Sequence, residues 1–464
     1  MPKQVPQSLS LSRKILFALG QLGWSLASYA PGMLLVYFYM PPDTGVPVFP
    51  QRIFQQAVLG LFTVIGLAYG TGRLFDAVTD PLIAGMSDRS RSPMGRRRKF
   101  LAISVLPFAV CSVLVFTPPV AGYSIINSVW VFSVIIIFYW FMTMYVTPYF
   151  ALMSELSHTP EERLFLSTLI SITWAVGAAI GSQVYAFKAL FEGLGMDPTR
   201  GFQLTIGLFA GVGFIFMLLP IIFIDEKRYS RQEPNREQIA ESLKSALRNR
   251  NFRLFAVSDL AYWTAITIAS TGLVYYVTIL LRLREAFTST LQILMFALSF
   301  LFYIPTNIIA RRTGKKRLLT GAFILFIVVY AYILLLGRLP FSTVAQGYLV
   351  IFLMAIPLAV FGILPNAIIG DIAEADAFVT GNHKAAIFYG ARTFMSKLGQ
   401  MVGGIIFPSM LLLGSTPDRD IGVRLTGLAA VIFVAVGLIC FLAYDEQGVL
   451  QVLAKKQSAG DTRP

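Results

Sequence analysis

Charge is scarce in this chain of 464 residues: Asp, Glu, Lys and Arg together make up 13%, where soluble domains carry about a quarter. That shortage excludes a string of ordinary soluble domains, which the length alone would accommodate. An apolar share of 56% excludes intrinsic disorder, which requires low hydrophobicity. Histidine is nearly missing too. His158 and His383 are the two present, too far apart for an HExxH zinc site. A histidine proton relay is equally excluded, which leaves carboxylates as proton carriers. No GxxxxGK[ST] phosphate loop and no GxSxG elbow occurs, and Gly70-Thr71-Gly72 lacks the third glycine of a dinucleotide fingerprint. Neither an enzyme nor a resident cofactor is expected. The two cysteines, Cys111 and Cys440, sit inside apolar runs, so no disulfide framework is expected.

Long apolar runs are what the chain has in plenty. About 20 mostly apolar residues span a bilayer, and twelve candidate runs can be marked: 15–40, 56–86, 100–120, 126–152, 165–190, 202–224, 254–281, 291–310, 318–337, 343–370, 385–413 and 423–443. The polar start, Met1 to Ser12, lacks the apolar core and cleavage site of a secretory signal. The first run is therefore expected to stay in the mature protein. The composition is that of an all-α integral membrane protein.

The net charge of +14 is placed by topology. Basic residues collect at Arg89, Arg91, Arg96, Arg97, Arg98 and Lys99 after the second run, and at Arg311, Arg312, Lys315, Lys316 and Arg317 after the eighth. Segment 225–253 adds eight Lys or Arg against five Asp or Glu, whereas 41–55, 118–125 and 338–342 hold at most one basic residue each. The positive-inside rule then puts both termini and the even-numbered connections in the cytoplasm. The basic excess needs no nucleic-acid partner.

Segment 225–253 divides the runs six and six. Gly95-Arg96-Arg97-Arg98 follows the second run, and Gly314-Lys315-Lys316-Arg317 follows the second run of the later half. Equivalent turns at equivalent places fit two related six-helix bundles, the arrangement of facilitator-type transporters, although any cytoplasmic turn collects basic residues. The expected organisation is an N-terminal bundle over 1–224, a cytoplasmic linker over 225–253, a C-terminal bundle over 254–444 and a cytoplasmic tail over 445–464. Stretch 234–250 has Ile239, Leu243, Ala246 and Leu247 at helical spacing and reads as an amphipathic helix on the membrane face.

Chemistry concentrates in the second run. Arg73, Asp76 and Asp80 fall on one helical face, with Thr79 between the acids. A charge at mid-membrane costs roughly 3 kcal/mol on insertion scales, so such groups face a bundle interior or a wet cavity. Arg73 neutralises one carboxylate, and a monovalent cation or a proton would balance the other. Two carboxylates and a threonine hydroxyl are suitable hard-cation ligands. An Arg–Asp pair that merely pins helices would use the same residues. Asp80-Pro81 marks a break or kink.

The eleventh run carries Lys397, five residues after Arg392. Its ammonium either meets solute in a central cavity or snorkels to an interface. Clustered glycines, among them Gly72, Gly177, Gly181, Gly399 and Gly403, permit close helix crossings.

Asp76-Ala77-Val78-Thr79-Asp80-Pro81, then Gly85-Met86-Ser87-Asp88-Arg89, then Gly95-Arg96-Arg97-Arg98 resembles the glycoside–pentoside–hexuronide:cation symporter family, the melibiose-permease-like branch of the major facilitator superfamily. Pro148-Tyr149 through Leu152, Glu162-Arg163, Asp371 through Asp376, Gly381 and Lys397-Leu398-Gly399 extend the resemblance over about residues 13 to 443. It implies twelve transmembrane helices in the major facilitator fold, alternating access, and coupling to sodium or a proton. By this resemblance the cation, sodium at Asp76 and Asp80, is also bound by Thr79 and Thr143. Lys397 serves substrate or coupling, and Asp88, Arg89 and Arg96 form a cytoplasmic gate. The family's sugar-binding positions fall on Ser25, beside Trp24, on Val146, on Phe150, beside Tyr149, and near Ile170 or Ser171. The carboxylates that grip sugar hydroxyls are therefore missing.

A pocket with acids and lysine kept but sugar-gripping carboxylates lost also resembles the family's sodium-dependent lysophosphatidylcholine symporters. The expected partners are the bilayer, a small solute (sugar, glycoside or lysolipid) and a monovalent cation. The expected setting is a monomer in a bacterial inner membrane.

Overall fold

A computed structural model describes residues 7–45, 48–58, 60–230, 246–381 and 385–460. In chain order the helices are α1 (Leu11–Met33), α2 (Leu35–Tyr39), α3 (Val64–Arg89), α4 (Arg98–Leu114), α5 (Ile125–Leu156), α6 (Pro160–Gly181), α7 (Val184–Gly193), α8 (Pro198–Phe223) and α9 (Glu226–Tyr229). There follow α10 (Arg250–Tyr275), a π-helical turn (Tyr276–Leu280), α11 (Ala286–Thr313), α12 (Lys315–Leu335), α13 (Thr343–Thr380), α14 (Ala385–Leu411), α15 (Ile421–Leu442) and α16 (Glu446–Gly460). Among the described residues there is no strand, and backbone polar groups are satisfied within helices, as a bilayer demands.

The twelve expected runs correspond to α1, α3, α4, α5, α6 with α7, α8, and α10 through α15. Eight of these are long and apolar enough to cross a membrane by length and composition alone. The other four are α1, α3, α4 and α14. The helix α4 has 17 residues, while α3 carries Arg73, Asp76 and Asp80, and α14 carries Arg392 and Lys397. In α3 and α14 these charged residues, rather than a different fold, lower the mean hydropathy.

Helix ends follow side-chain chemistry. Thr63, Ser124, Thr159, Asp197 and Asn249 each cap a helix by accepting a backbone N–H of its first turn. The Thr63 cap explains why α3 starts at Val64 rather than near residue 56: the stretch before it closes a small loop through a Val58–Phe62 bridge. Pro81 lies inside α3, which continues to Arg89, so the expected break at Asp80-Pro81 does not end the helix. At the far end of α13 the helix runs on to Thr380 and stops where Gly381 adopts φ of +72°, a left-handed C-cap that glycine takes without strain. The tail forms α16, which packs on α13. Residues 234–245 of the expected amphipathic stretch lie outside the described residues.

The chain divides into two compact units, Met1–Arg236 with Glu285–Ile293, and Glu237–Arg284 with Leu294–Pro464. In the first, α1 packs on α8 and α6, and α4 packs on α5 and α8. In the second, α10 packs on α15 and α14, and α12 packs on α13 and α15. The same pairing recurs with each helix replaced by its counterpart six spans later. Internal duplication therefore extends from the basic turns to the helix packing.

Candidate functional site

Two carboxylates of α3 meet two threonines of α5 in register. Thr143 Oγ1 donates to Asp76 Oδ1 at 2.8 Å, and Thr147 Oγ1 donates to Asp80 Oδ1 at 3.1 Å. The acids are four residues apart and so are the threonines, so one turn of each helix repeats the contact. Asp76 is wholly buried, and Asp80 is half-buried. Between them, Thr79 Oγ1 donates back to the Phe75 carbonyl at 2.8 Å and lies 3.5 Å from Thr143 Oγ1. The structure thus brings Asp76, Thr79, Asp80 and Thr143 together and adds Thr147. In the sequence Thr147 is one hydroxyl among many on an apolar helix. Its signal was the four-residue offset from Thr143 matching that between the acids.

Arg73 completes the cluster. Its Nη1 lies 3.5 Å from Asp76 Oδ2, and its Nε donates to Tyr69 Oη at 3.3 Å. Its guanidinium stands 5.1 Å from the Tyr139 ring centroid and 5.6 Å from that of Tyr69, so aromatic faces share its charge. Gly72 makes room for this: a Cβ there would lie 2.7 Å from the Tyr139 ring. The donor set is oxygen alone, which suits a hard monovalent cation. No group of three or more His, Cys, Asp or Glu arranged for a metal ion occurs among the described residues.

The residues that the resemblance assigns to solute divide into two groups. Trp24 and Phe150 meet edge to face with centroids 6.5 Å apart, and Phe150 is 39% exposed. The Trp24 indole N–H is buried without an acceptor among the described residues. Ser25 and Tyr149, by contrast, are packing residues. Ser25 is buried and donates to the Trp174 carbonyl at 2.9 Å. Tyr149 is fully buried, stacks on Phe17 at 4.5 Å, and donates to the Phe17 carbonyl at 2.7 Å. Their polar atoms are committed within the bundle.

The turn between α3 and α4 holds a denser ion network than its sequence indicated. Arg97 pairs with Asp88, and its Nε donates to Glu155 Oε1 at 3.2 Å, while Arg96 Nη2 donates to the same oxygen at 2.7 Å. Glu226 accepts the backbone N–H groups of Arg96, Arg97 and Arg98 at 2.8–3.1 Å. Arg89, expected at the same gate, is exposed and makes no ion pair among the described residues, and the partner of Asp88 is Arg97. Glu155 and Glu226 went unnoticed because each is remote in sequence from the turn it serves. The second unit repeats the arrangement: Glu446 accepts the Lys316 N–H at 2.9 Å across the same separation of 130 residues, and Lys315 pairs with Asp371 at 2.5 Å. Lys397 stands half-buried on α14 of that unit.

Apolar helices in two duplicated sets of six, with an oxygen-lined cluster of acids, threonines and an arginine inside one of them, define a membrane transporter of the major facilitator type rather than an enzyme. The chain belongs to the MFS/sugar transport protein family, whose model matches residues 16–444. It is 22% identical over 447 residues to the inner membrane symporter YicJ of Escherichia coli, covering 94% of this chain and 90% of that protein. It is 23% identical to the isoprimeverose transporter of Lactiplantibacillus pentosus over 78% and 75% of the two chains, and 23% identical to sodium-dependent lysophosphatidylcholine symporter 1 of Xenopus tropicalis over 94% and 87%. The fold is that of the nucleoside transporter NupG, here as a point mutant (TM-score 0.68, 14% identity, 94% and 100% coverage), and of a D-xylose-proton symporter (TM-score 0.67, 13% identity, 93% and 96% coverage).

Proposed function

We propose that this protein is a cation-coupled symporter that moves a small organic solute by alternating access. The observation that carries the reading is the matched pair of contacts, Thr143 to Asp76 and Thr147 to Asp80, beside Arg73. A cation bound at Asp76, Thr79, Asp80 and Thr143 neutralises the cluster, and the neutral cluster favours solute binding. Coupling is then a difference in solute affinity with and without the cation, commonly 1–3 kcal/mol. Sodium is the first candidate ion, supported by the oxygen-only donor set and by the relative named sodium-dependent, and a proton is the alternative.

For the solute we propose a glycoside or an amphiphile such as a lysolipid. The Trp24–Phe150 edge offers an aromatic wall, and the lack of carboxylates at Ser25 and Val146 disfavours a solute held only by hydroxyl contacts. Lys397 is assigned to solute or coupling. The setting is the inner membrane of a bacterium, with both termini cytoplasmic, bundles over 1–224 and 254–444, and the turn network of Asp88, Arg96 and Arg97 as a cytoplasmic gate.

The test is thermal stability of the purified full-length protein with and without sodium, since a ligand that binds the folded state raises its melting temperature. Sodium should stabilise the wild type and not Asp76→Asn. An identical sodium response in both would remove the cation from this site.

A further inference from the structure

A second buried carboxylate, unused by the reading above, lies in the other unit. Asp259 of α10 is 2% exposed. Arg392 of α14 grips it with two hydrogen bonds, Nε to Oδ2 at 3.1 Å and Nη2 to Oδ1 at 3.2 Å, and gives a third, from Nη1, to Asn366 Oδ1 at 2.6 Å. Tyr389 Oη donates to the Asn366 backbone carbonyl at 3.1 Å. A guanidinium has five N–H donors. Three are committed here, and two remain among the described residues.

The surroundings say where those two are used. Tyr389, Arg392, Thr393 and Ser396 recur at the spacing of one helical face. Tyr389 and Thr393 are exposed, while Arg392 and Ser396 are half-buried. The Thr393 and Ser396 hydroxyls donate to the Tyr389 and Thr393 carbonyls of their own helix, but the Arg392 side chain keeps 15% of its surface exposed, and hydrocarbon does not cover a guanidinium, so this face of α14 borders water or solute. Burial of Asp259 beneath it has a cost that packing alone does not require, because an apolar pair of similar volume holds two helices at least as well. A fixed, bidentate guanidinium with spare donors on a wet face is the device that recognises an oxyanion.

We propose that Arg392 is a solute-binding residue that recognises a carboxylate or phosphate of the transported molecule, with Asp259 and Asn366 as the positioning residues that aim it. The proposal rests on the symporter reading and narrows its solute to one bearing an oxyanion. Asp259 fixes the guanidinium plane, so a lysine at 392 keeps the charge and loses the fork.

The experiment measures binding to the full-length protein in detergent with sodium present, by thermal shift titration, using two matched probe pairs: 4-nitrophenyl glucuronide against 4-nitrophenyl glucoside, and lysophosphatidylcholine against a monoacylglycerol of the same chain. The expected result is a preference of about tenfold or more for the oxyanion member of at least one pair, the scale of a hydrogen bond to a charged group. Arg392→Gln should abolish that preference by weakening the oxyanion member more than the neutral one, Arg392→Lys should restore part of it, and Asp259→Asn should lower it. A preference in the glucuronide pair identifies a sugar acid, and one in the lipid pair a phospholipid headgroup. Equal binding within both pairs, no binding of any probe, or an undiminished preference in Arg392→Gln overturns the proposal. A merely structural arginine would lower melting temperature in Arg392→Gln without touching the ratio. Loss of the sodium shift itself, read in the same titrations without probe, would instead count against the symporter reading.

Discussion

Thr143 donates its hydroxyl hydrogen to Asp76 at 2.8 Å, in a position where the acid is fully buried. The threonine thereby holds the carboxylate in one orientation while keeping its own oxygen lone pairs available. A hydrogen bond to a charged group is worth about 1.5–3 kcal/mol, so the loss should be visible in cation affinity rather than in folding. Thr143→Val, nearly equal in volume, is expected to shift the midpoint of a sodium titration of stability about tenfold upward. Thr147→Val should shift it less, because Asp80 is half-buried and reaches water. Unchanged midpoints in both variants would separate the threonines from the cation.

Arg97, and not Arg89, is expected to be the sensitive member of the basic turn. Arg97 is 5% exposed and joins Asp88 to Glu155. Removing one partner of a buried network leaves uncompensated charge and costs about 3–5 kcal/mol. Arg89 is exposed, and surface substitutions stay within about 0.5 kcal/mol. Arg97→Gln should therefore lower the melting temperature in detergent by several degrees, with Arg89→Gln indistinguishable from wild type. Equal effects would mean that the turn responds to total charge alone.

These two cases show what was legible in the sequence. Asp76 and Asp80 stood out because acids in an apolar run are costly, and that cost is local information. Helix number and class were readable from apolar length, since the bilayer imposes it. Thr147, Glu155 and Glu226 were not readable, because each acquires its role from a partner 67, 58 or 130 residues away. Asp259 escaped notice for the same reason: its partner Arg392 lies 133 residues further on. Ser25 and Tyr149 differ in the other direction. Position along the motif placed them at the solute, but their hydrogen bonds to Trp174 and Phe17 turn them inward.

The crossing of α1 and α8 provides a test of packing with an internal control. A Cβ at Gly213 would lie 2.7 Å from the Gly23 carbonyl oxygen, and one at Gly23 would lie 2.5 Å from the Gly213 carbonyl oxygen. The two backbones touch, and no flexible side chain can yield. Gly211, two residues earlier, has nothing within 4 Å. Gly213→Ala should destabilise the bundle by about 1–3 kcal/mol, the usual cost of overpacking, seen as lower folded yield and melting temperature. Gly211→Ala should not, and a neutral Gly213→Ala would show that the crossing can open without loss.

Duplication predicts a graded pair of effects at Glu226 and Glu446. Both follow the sixth helix of their half, and both accept backbone amides from the basic turn 130 residues earlier. Such a carboxylate satisfies N–H groups that a helix start leaves without partners, and it favours the positive end of the helix dipole. Glu226 accepts the amides of Arg96, Arg97 and Arg98, and is wholly buried. Glu446 accepts that of Lys316. Replacement by glutamine keeps the shape, removes the charge and substitutes one acceptor oxygen for two. Glu226→Gln should therefore cost about 2–4 kcal/mol, since hydrogen bonds to a charged group are worth about 1.5–3 kcal/mol each and do not add in full. Glu446→Gln should cost less, on the order of 1 kcal/mol. Melting temperatures of the two variants in one detergent would read the order directly. A larger loss at Glu446 would mean that the shared spacing of the two glutamates does not carry a shared role.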